Sequence, residues 1–431
     1  MEIKNIPCPF CGSLCDDIIV NVEDNEIKGV KNGCGICITK FMKHHVNAVK
    51  SPMIKKDENL VNVSMDEAIE KAAEILKNSR YPLIFGLSTT ECEAQSKALE
   101  LAELIGATID QLPSVCHGPS MMALQSIGQT TATLGEVKNR ADLVIFWGCN
   151  PIEAHPRHFN RYSGTAVGMW SDRSKRYIVT IDVRETQTAK KSDKFIKISH
   201  GKDYELISII RAAIKGQEIP DNVEEITGVK KEDIENLIIK AKGAKYGVVF
   251  YGMGMTQSFG KELNTDAAIS LIKDLNDFTK FSIIPMLGHY NVSGAVHVWG
   301  WQSGYPFSIN FALEYPRYNP GEFSATQMLA RKECDAALII ATDPVAHLPN
   351  EAARHLAGIP VITIDPKFSL TALISDVVIP AATAGIEAEG TAYRMDGIPL
   401  RLKKVVNSEF PPDREILERI IERLKEKMKE Y

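Results

Sequence analysis

The sequence predicts an α/β protein: a small cysteine-rich N-terminal unit followed by two related Rossmann-like lobes. Three observations predict it. Five cysteines, Cys8, Cys11, Cys15, Cys34 and Cys37, crowd the start of the chain. Beyond about residue 60, short apolar runs alternate with helical stretches. One strand–loop–helix–strand pattern also occurs twice.

Bulk properties bound the reading. The chain has 431 residues, room for two to three domains with ordinary cores. Its formal net charge of -5 argues against a general nucleic-acid binder. No apolar run approaches the ~20 residues of a membrane span. Met1–Pro7 lacks the basic-then-apolar layout of a secretory leader. A cytoplasmic place is therefore expected, with no membrane span and no nucleic acid. There, an odd set of 9 cysteines favours metal over disulfides.

The elements follow in order. Ile18–Val22 and Glu26–Val30 read as strands, with Asp24-Asn25 as the hairpin turn. Ser64-Met65-Asp66-Glu67 is a capping box opening a helix, whose apolar face is Ile69, Ala72, Ala73 and Leu76. Seven apolar runs then read as strands: Pro82–Phe85, Leu143–Trp147, Ile178–Ile181, Gly247–Tyr251, Phe281–Pro285, Ala337–Ala341 and Val361–Ile364. Nearly continuous apolar runs belong to strands buried on both faces, and their alternation with helices implies parallel sheets. From Asp413 to Tyr431 a charged helix is expected, with Ile416, Leu417, Ile420 and Leu424 along one face.

The repeat pairs residues 141–193 with 334–376. Ala141–Pro151 and Ile178–Arg184 in one half match Cys334–Pro344 and Val361–Lys367 in the other. Ser192-Asp193 and Ser375-Asp376 close the two halves. The expected division is a unit at 1–60, an inserted lobe at 141–244, and a further lobe from 61–140 plus 245–431 that includes Cys116. Ligands of such sheets sit beyond the C-terminal strand ends. In the first half, the loops Gly148–His158 and Asp182–Thr188 hold Gly148, Cys149, Asn150, His155, Asp182, Arg184 and Thr186. In the second, Thr342–His347 and Asp365–Thr371 hold Thr342, Asp343 and Asp365. Gly252–Gly260 is another glycine-rich loop at a strand end.

Cys8-Pro-Phe-Cys11-Gly-Ser-Leu-Cys15 supplies three thiolates, and Cys34 or Cys37 a fourth. Four thiolates suit structural zinc or a [4Fe–4S] cluster. The spacing of two residues and then three departs from paired zinc knuckles and favours iron–sulfur. Lys40 would place a cation beside it. Further on, Cys116-His117 joins a soft metal ligand to a proton-moving group, with Ser120 as a possible helix cap. Gly288-His289-Tyr290-Asn291 is a second polar cluster directly after a strand. Trp299–Tyr305 reads as lid, subunit contact or core.

The cysteine spacing followed by Val115-Cys116-His117-Gly118-Pro119-Ser120 resembles the molybdopterin oxidoreductase superfamily. Its formate dehydrogenases place a metal-ligating cysteine or selenocysteine before a catalytic histidine in a similar stretch. Three further stretches are similar to the formylmethanofuran dehydrogenase B subunits of methanogens. They are Thr90–Gln95, Gly148–Pro151 with His155-Pro156-Arg157-His158, and Glu387–Met395, which contains Glu389 and Gly390. The resemblance spans nearly the whole chain. It implies a tungsten or molybdenum ion held by two pyranopterin guanine dinucleotides, one per lobe, with Cys116 as protein ligand. It implies one [4Fe–4S] cluster, with Cys34 favoured as fourth ligand because the family shows a cysteine six residues before Lys40-Phe41. His117 and His289 become catalytic groups. Asp182 and Asp365 would either meet a ribose or guanine edge or cap the following turn.

The implied reaction is the ferredoxin-linked, reversible two-electron reduction of CO2 to formate in methanogenesis. The implied partners are an amidohydrolase-like A subunit, a C subunit, a small D subunit and ferredoxin-like electron-transfer subunits. The D subunit would supply the C-terminal barrel of larger relatives, for which this chain shows no strand-rich region. Leu287 stands where the family carries an arginine before Gly-His, so Arg157, Arg394 or His289 would face a carboxylate instead. Two alternatives stay open: a free-standing formate dehydrogenase or other molybdopterin oxidoreductase, and a non-catalytic electron-transfer subunit that keeps the fold.

Overall fold

The computed structural model describes residues 1–429 and divides the chain into two units. The first takes Met1–Val115, His289–Arg394 and the segment from Pro399; the second takes Cys116–Gly288 with Met395–Ile398. Among the described residues no helix is long and apolar enough to cross a membrane.

The first unit opens with a three-stranded antiparallel sheet of β1 (Glu2–Ile6), β2 (Ile18–Glu23) and β3 (Glu26–Lys31). Asp24 and Asn25 both take left-handed backbone angles (φ 50° and 62°), the geometry of the expected two-residue hairpin turn. Ile18, Val20 and Val22 point inward along β2 and pack with Ile6, Phe41, Val405 and Val406. The chain leaves this module earlier than residue 60. β4 (Met53–Lys56) and β5 (Asn59–Asn62) are already part of a larger sheet, where Met53 and Ile54 pair with Val378 and Val377. An edge hairpin satisfies its backbone groups by joining a long ladder rather than remaining alone.

Further along the chain lie β6 (Pro82–Gly86), β7 (Thr108–Gln111), β8 (Leu143–Trp147), β9 (Tyr177–Asp182), β10 (Lys194–Lys197), β11 (Tyr246–Tyr251) and β12 (Lys280–Pro285). They are followed by β13 (Ile309–Asn310), β14 (Arg317–Tyr318), β15 (Ala336–Ile340), β16 (Val361–Ile364), β17 (Val377–Ile379), β18 (Gly390–Tyr393) and β19 (Pro399–Leu402). The first unit holds a nine-stranded sheet, in the order β14-β13-β7-β6-β15-β16-β17-β4-β5, with a parallel centre from β7 to β17. The second holds an all-parallel sheet, β10-β9-β8-β11-β12.

The repeat is reproduced hydrogen bond by hydrogen bond. Asp142 accepts from Lys245 N and Tyr246 N, and Asp335 from Arg80 N and Tyr81 N. Asn150 Oδ1 accepts from Thr188 Oγ1 at 2.7 Å, and Asp343 Oδ1 from Thr371 Oγ1 at 2.6 Å. Thr180 meets Ser192, and Thr363 meets Ser375, both at 2.7 Å. Asp193 accepts from Ile178 N, and Asp376 from Val361 N. Strand for strand, β10-β9-β8-β11-β12 therefore corresponds to β17-β16-β15-β6-β7. The connection differs: β11 and β12 follow their three partners in the chain, whereas β6 and β7 precede theirs. The two lobes are circular permutants. This corrects the expected division, because Gly247–Tyr251 and Phe281–Pro285 complete the inserted lobe's sheet instead of joining the other lobe. Cys116 likewise belongs to the inserted unit, not to the lobe beginning at residue 61.

Helices cover both sheets. Ser64 and Glu67 form the reciprocal capping box, and the helix Met65–Asn78 buries Ile69, Ala72, Ala73 and Leu76. The helix Asp413–Lys429 buries Ile416, Leu417, Ile420 and Leu424 in the same core; the last two residues of the expected helix lie outside the described residues. Trp299 is fully buried there, while Trp301 is 66% exposed, so the aromatic stretch is part core and part surface. The second unit has its own core, running from Ala123 to Ile283.

Candidate functional site

Four places carry the chemistry that the sequence singled out. The first is the cysteine module. The loop between β1 and β2 closes on itself through Cys8 N to Cys15 O and Leu14 N to Cys11 O. The helix Gly35–Met42 brings Cys37 beneath it, and Cys34 caps that helix by accepting from Cys37 N at 3.5 Å. Cys8 neighbours Cys11, Cys15 and Cys37, and Cys11 neighbours Cys34 and Cys37. The Cys37 thiol hydrogen-bonds Cys8 and, with burial and the Cys11 and Cys15 sulfurs, holds its pKa well above the usual value. Burial raises Cys11, and Cys34 and Cys37 add to it. Among the described residues no three His, Cys, Asp or Glu side chains are grouped as ligands of one metal ion.

The second place is Cys116-His117, in the second unit. Leu112–Val115 forms a 3-10 turn, and a helix runs from Gly118 to Ile127 with His117 at its N-cap. Pro119 suits the first turn, where no backbone donor is needed, so the helix starts before Ser120. Ser120 is therefore not the cap. Its hydroxyl instead meets His117 Nδ1 at 3.1 Å. The Cys116 carbonyl accepts from Thr256 Oγ1 at 2.7 Å and Gln257 Nε2 at 2.8 Å, which fixes the backbone behind the thiol. Cys116 is only partly shielded by area, yet the crowding protein pushes its thiol up to about 12. Burial depresses His117 to about 4, with His155 assisting and the Met286 backbone opposing. The ring is neutral at physiological pH.

The third place is the C-terminal edge of the five-stranded sheet. Gly148 takes φ 58°, and a Cβ there would lie 2.8 Å from Met255 N; a Cβ on Gly252 would lie 2.7 Å from Cys149 Cβ. Only glycine allows these loops to approach so closely. Cys149 is buried and donates to Phe250 O at 3.3 Å. Asn150 spends its oxygen on Thr188, while its Nδ2 is buried without a partner. His155 Nε2 bonds Leu287 O at 2.8 Å, its Nδ1 is buried without a partner, and burial lowers its pKa. Asp182 accepts from Arg184 N at 3.2 Å, and Thr186 caps Ala189 N at 3.1 Å. A cleft of about 200 Å³ is lined by Gly148, Asp182 and Gln257, together with Asp203, which sequence reasoning missed. Trp147 Nε1 and Ser258 Oγ both donate to Asp203, whose pKa burial raises.

The fourth place is a cavity of about 460 Å³ in the first unit. It brings together three residues chosen from sequence, Lys40, His289 and Asp365, and adds Lys43, His44, Tyr290 and Lys367. Lys40 lies over the Phe10 ring at 5.2 Å. Burial, then Lys40 and His347, lower the pKa of His289. Asp365 accepts from Lys367 N at 2.7 Å, and burial pushes its carboxyl up to about 7. Both strand-end aspartates thus cap the following turn. Asp343 is likewise spent on the backbone of Leu370 and Thr371. Thr342 packs against Gly86, whose Cβ would come within 2.7 Å of it. Two expected cofactor contacts lie elsewhere. Glu389 is exposed and pairs with Arg401 at 2.7 Å, and Gly390 gives room to Glu91, whose Cβ would stand 2.5 Å from an added methyl. Lys43 and His44 gave no motif signal, since cations beside a helix end usually read as solvated surface.

The model of the molybdopterin oxidoreductase family matches residues 49–423. The chain is 47% identical to the B subunit of the tungsten-containing formylmethanofuran dehydrogenase 2 of Methanocaldococcus jannaschii, over 98% of this chain and 99% of that one. It is 43% identical to the protein of the same description in Methanococcus maripaludis, over 99% and 100%. Among solved structures, the formyltransferase/hydrolase complex of Methylorubrum extorquens, in complex with methylofuran, superposes with a TM-score of 0.71. That match covers 88% of this chain and 99% of the other, at 24% identity, and speaks to fold alone.

Proposed function

The chain belongs to the molybdopterin oxidoreductase family and, within it, to the formylmethanofuran dehydrogenase B subunits, and on that premise we propose that it is the metal–pterin subunit interconverting CO2 and formate. Cys116-His117 carries the reading. Unlike the buried Cys92, Cys149 and Cys334, Cys116 keeps part of its surface open, and its sulfur is a soft donor of the kind that tungsten or molybdenum takes. The surroundings fit a large polar group. Asn150 Nδ2 and His155 Nδ1 are buried donors or acceptors without partners, and Gly148 and Gly252 keep side chains out of the strand-end loops. Lys40 and Lys43 bring to the first-unit cavity cations of the kind a pyrophosphate needs, while Lys367 Nζ is held by the His44 and Val46 carbonyls. Each lobe thus has a candidate site for one guanine dinucleotide.

When bound, the tungsten or molybdenum pterin group supplies the two-electron exchange with the one-carbon substrate. Cys116 holds the metal. His117 is fixed through Nδ1 by Ser120, which leaves Nε2 to hold an oxygen or move a proton. His289, neutral through burial, handles protons in the first-unit cavity. Cys8, Cys11, Cys15 and Cys34 would hold a [4Fe–4S] cluster, which exchanges single electrons. Cys34 is preferred to Cys37 because its sulfur stands at the helix N-terminus and keeps part of its surface open, whereas Cys37 is fully buried. The proposed setting is a cytoplasmic methanogenic complex with A, C and D subunits and ferredoxin-like electron carriers.

Metal analysis of the native complex tests this. Tungsten or molybdenum stoichiometric with the chain is expected, and its absence would overturn the reading. Cys116→Ala should abolish formate-linked activity while the reduced-state EPR signal of the cluster persists.

A further inference from the structure

Thr90, Glu91, Tyr290 and Asp413 meet in the interior of the first unit. Thr90 and Glu91 have no exposed surface, and Tyr290 and Asp413 retain 3% each. The Thr90 hydroxyl lies 2.8 Å from Glu91 Oε2 and also in hydrogen-bond contact with Asp413 Oδ2. A threonine hydroxyl carries one hydrogen. It can donate to one carboxyl, but from the other it must accept, and that carboxyl must then carry a proton. Counting hydrogens alone places a proton on Glu91 or Asp413 in the folded chain.

The surroundings agree. Glu91 Oε1 receives the Arg414 backbone N–H at a long 3.4 Å, while the Arg414 guanidinium turns to Glu415. Asp413 Oδ1 is buried without a partner. The other titratable groups acting on the pair are acidic: Glu93 on Glu91, and Asp365 on Asp413. Burial and then these charges raise both carboxyls, each opposed by Thr90. Tyr290 neighbours both the pair and the cavity. Its hydroxyl is buried without a partner, Glu91 and Asp413 are the first charges to act on it, and the residue lines the wall with His289.

We propose that Glu91 and Asp413 share one proton across Thr90, and that this pair is the proton store of the cavity lined by Tyr290 and His289. The inference rests on the reading that formate chemistry consumes one proton per turnover. In the transfer, a carboxyl O–H bond breaks and, because the Tyr290 hydroxyl holds no hydrogen bond at rest, a water entering beside it carries the proton across. An N–H bond then forms on neutral His289. The pair is left as two carboxylates, with Thr90 donating to one, until a proton from water refills it. No electrons move in this step.

Infrared spectroscopy of the native complex tests the store without turnover. An un-ionised carboxylic acid band should persist at pH 8, where isolated carboxyls are ionised, and be missing from Glu91→Gln/Asp413→Asn. No such band in the native protein, or one unaffected by the double substitution, would overturn the sharing. In turnover, the double variant should lose kcat on the order of tenfold, less than a direct acid–base group would cost. KM should hold, and the solvent isotope effect should rise. A lost band with an unchanged pH profile and isotope effect would leave the pair structural and refute the store. An inactive native complex that keeps the band would fault the assigned reaction instead of the proton sharing.

Discussion

At the scale of single residues, the two lobes supply their own control. Gly148 and Ala341 occupy equivalent left-handed positions, φ 58° and 50°, after β8 and β15. Gly148→Ala should cost about 2–4 kcal/mol, because it adds both left-handed strain and a backbone clash. Ala341→Gly should change stability by less than about 1 kcal/mol, since the alanine already tolerates its angle. Urea unfolding of the two variants checks both. Asp365 gives a pH signature. Its folded pKa of about 7 lies above the unfolded value of about 4. Its contribution is therefore complete below pH ~4 and lost as pH rises through about 7, a change of up to roughly 4 kcal/mol. Asp365→Asn should flatten the fall in urea midpoint between pH 5 and pH 8; an unchanged slope would mean that the group is ionised throughout.

At the scale of elements, local rules were legible wherever local physics decided the outcome. The buried strands announced themselves as unbroken Val and Ile runs, Asp24-Asn25 as a hairpin, and Ser64 with Glu67 as a helix start. Ser64→Ala should lower stability by about 1 kcal/mol, read as a small drop in melting temperature. What stayed hidden was non-local. Arg176 reads as a surface cation in sequence, yet it is 2% exposed and its guanidinium donates to the carbonyls of Lys138, Ala141, Gly164 and Ala166. It organises the loop ahead of β9. Arg176→Met should cost about 3–5 kcal/mol, because several buried carbonyls lose their donor together, and hydrogen exchange should report the opening of residues 164–170. Cys116 and the strand-end glycines were singled out by motif and period. Lys43, Lys367 and Asp203 were not, because nothing in their own neighbourhoods marks them.

At the scale of the whole molecule, the repeat was readable but its connectivity was not. Matching aspartates identified β8 with β15 and β9 with β16. The permutation involves β6, β7, β11 and β12, which share shape but no motif. Because the second unit is nearly continuous in sequence and has its own core, a fragment of residues 116–288 should unfold cooperatively on its own; a broad, non-cooperative melt would show that it depends on its host. The permutation also orders events in time. Arg80 and Asp335, which tie β6 to β15, stand 255 residues apart. At roughly 5–20 residues per second, the ribosome exposes β6 for on the order of 10–50 s before its central neighbour emerges. During that wait the guest lobe can finish folding while the host's middle strand remains bare, apolar and prone to mispairing. The nascent chain should therefore recruit a holding chaperone early, and assembly should be gated by the emergence of β15 rather than by translation of the cysteine module.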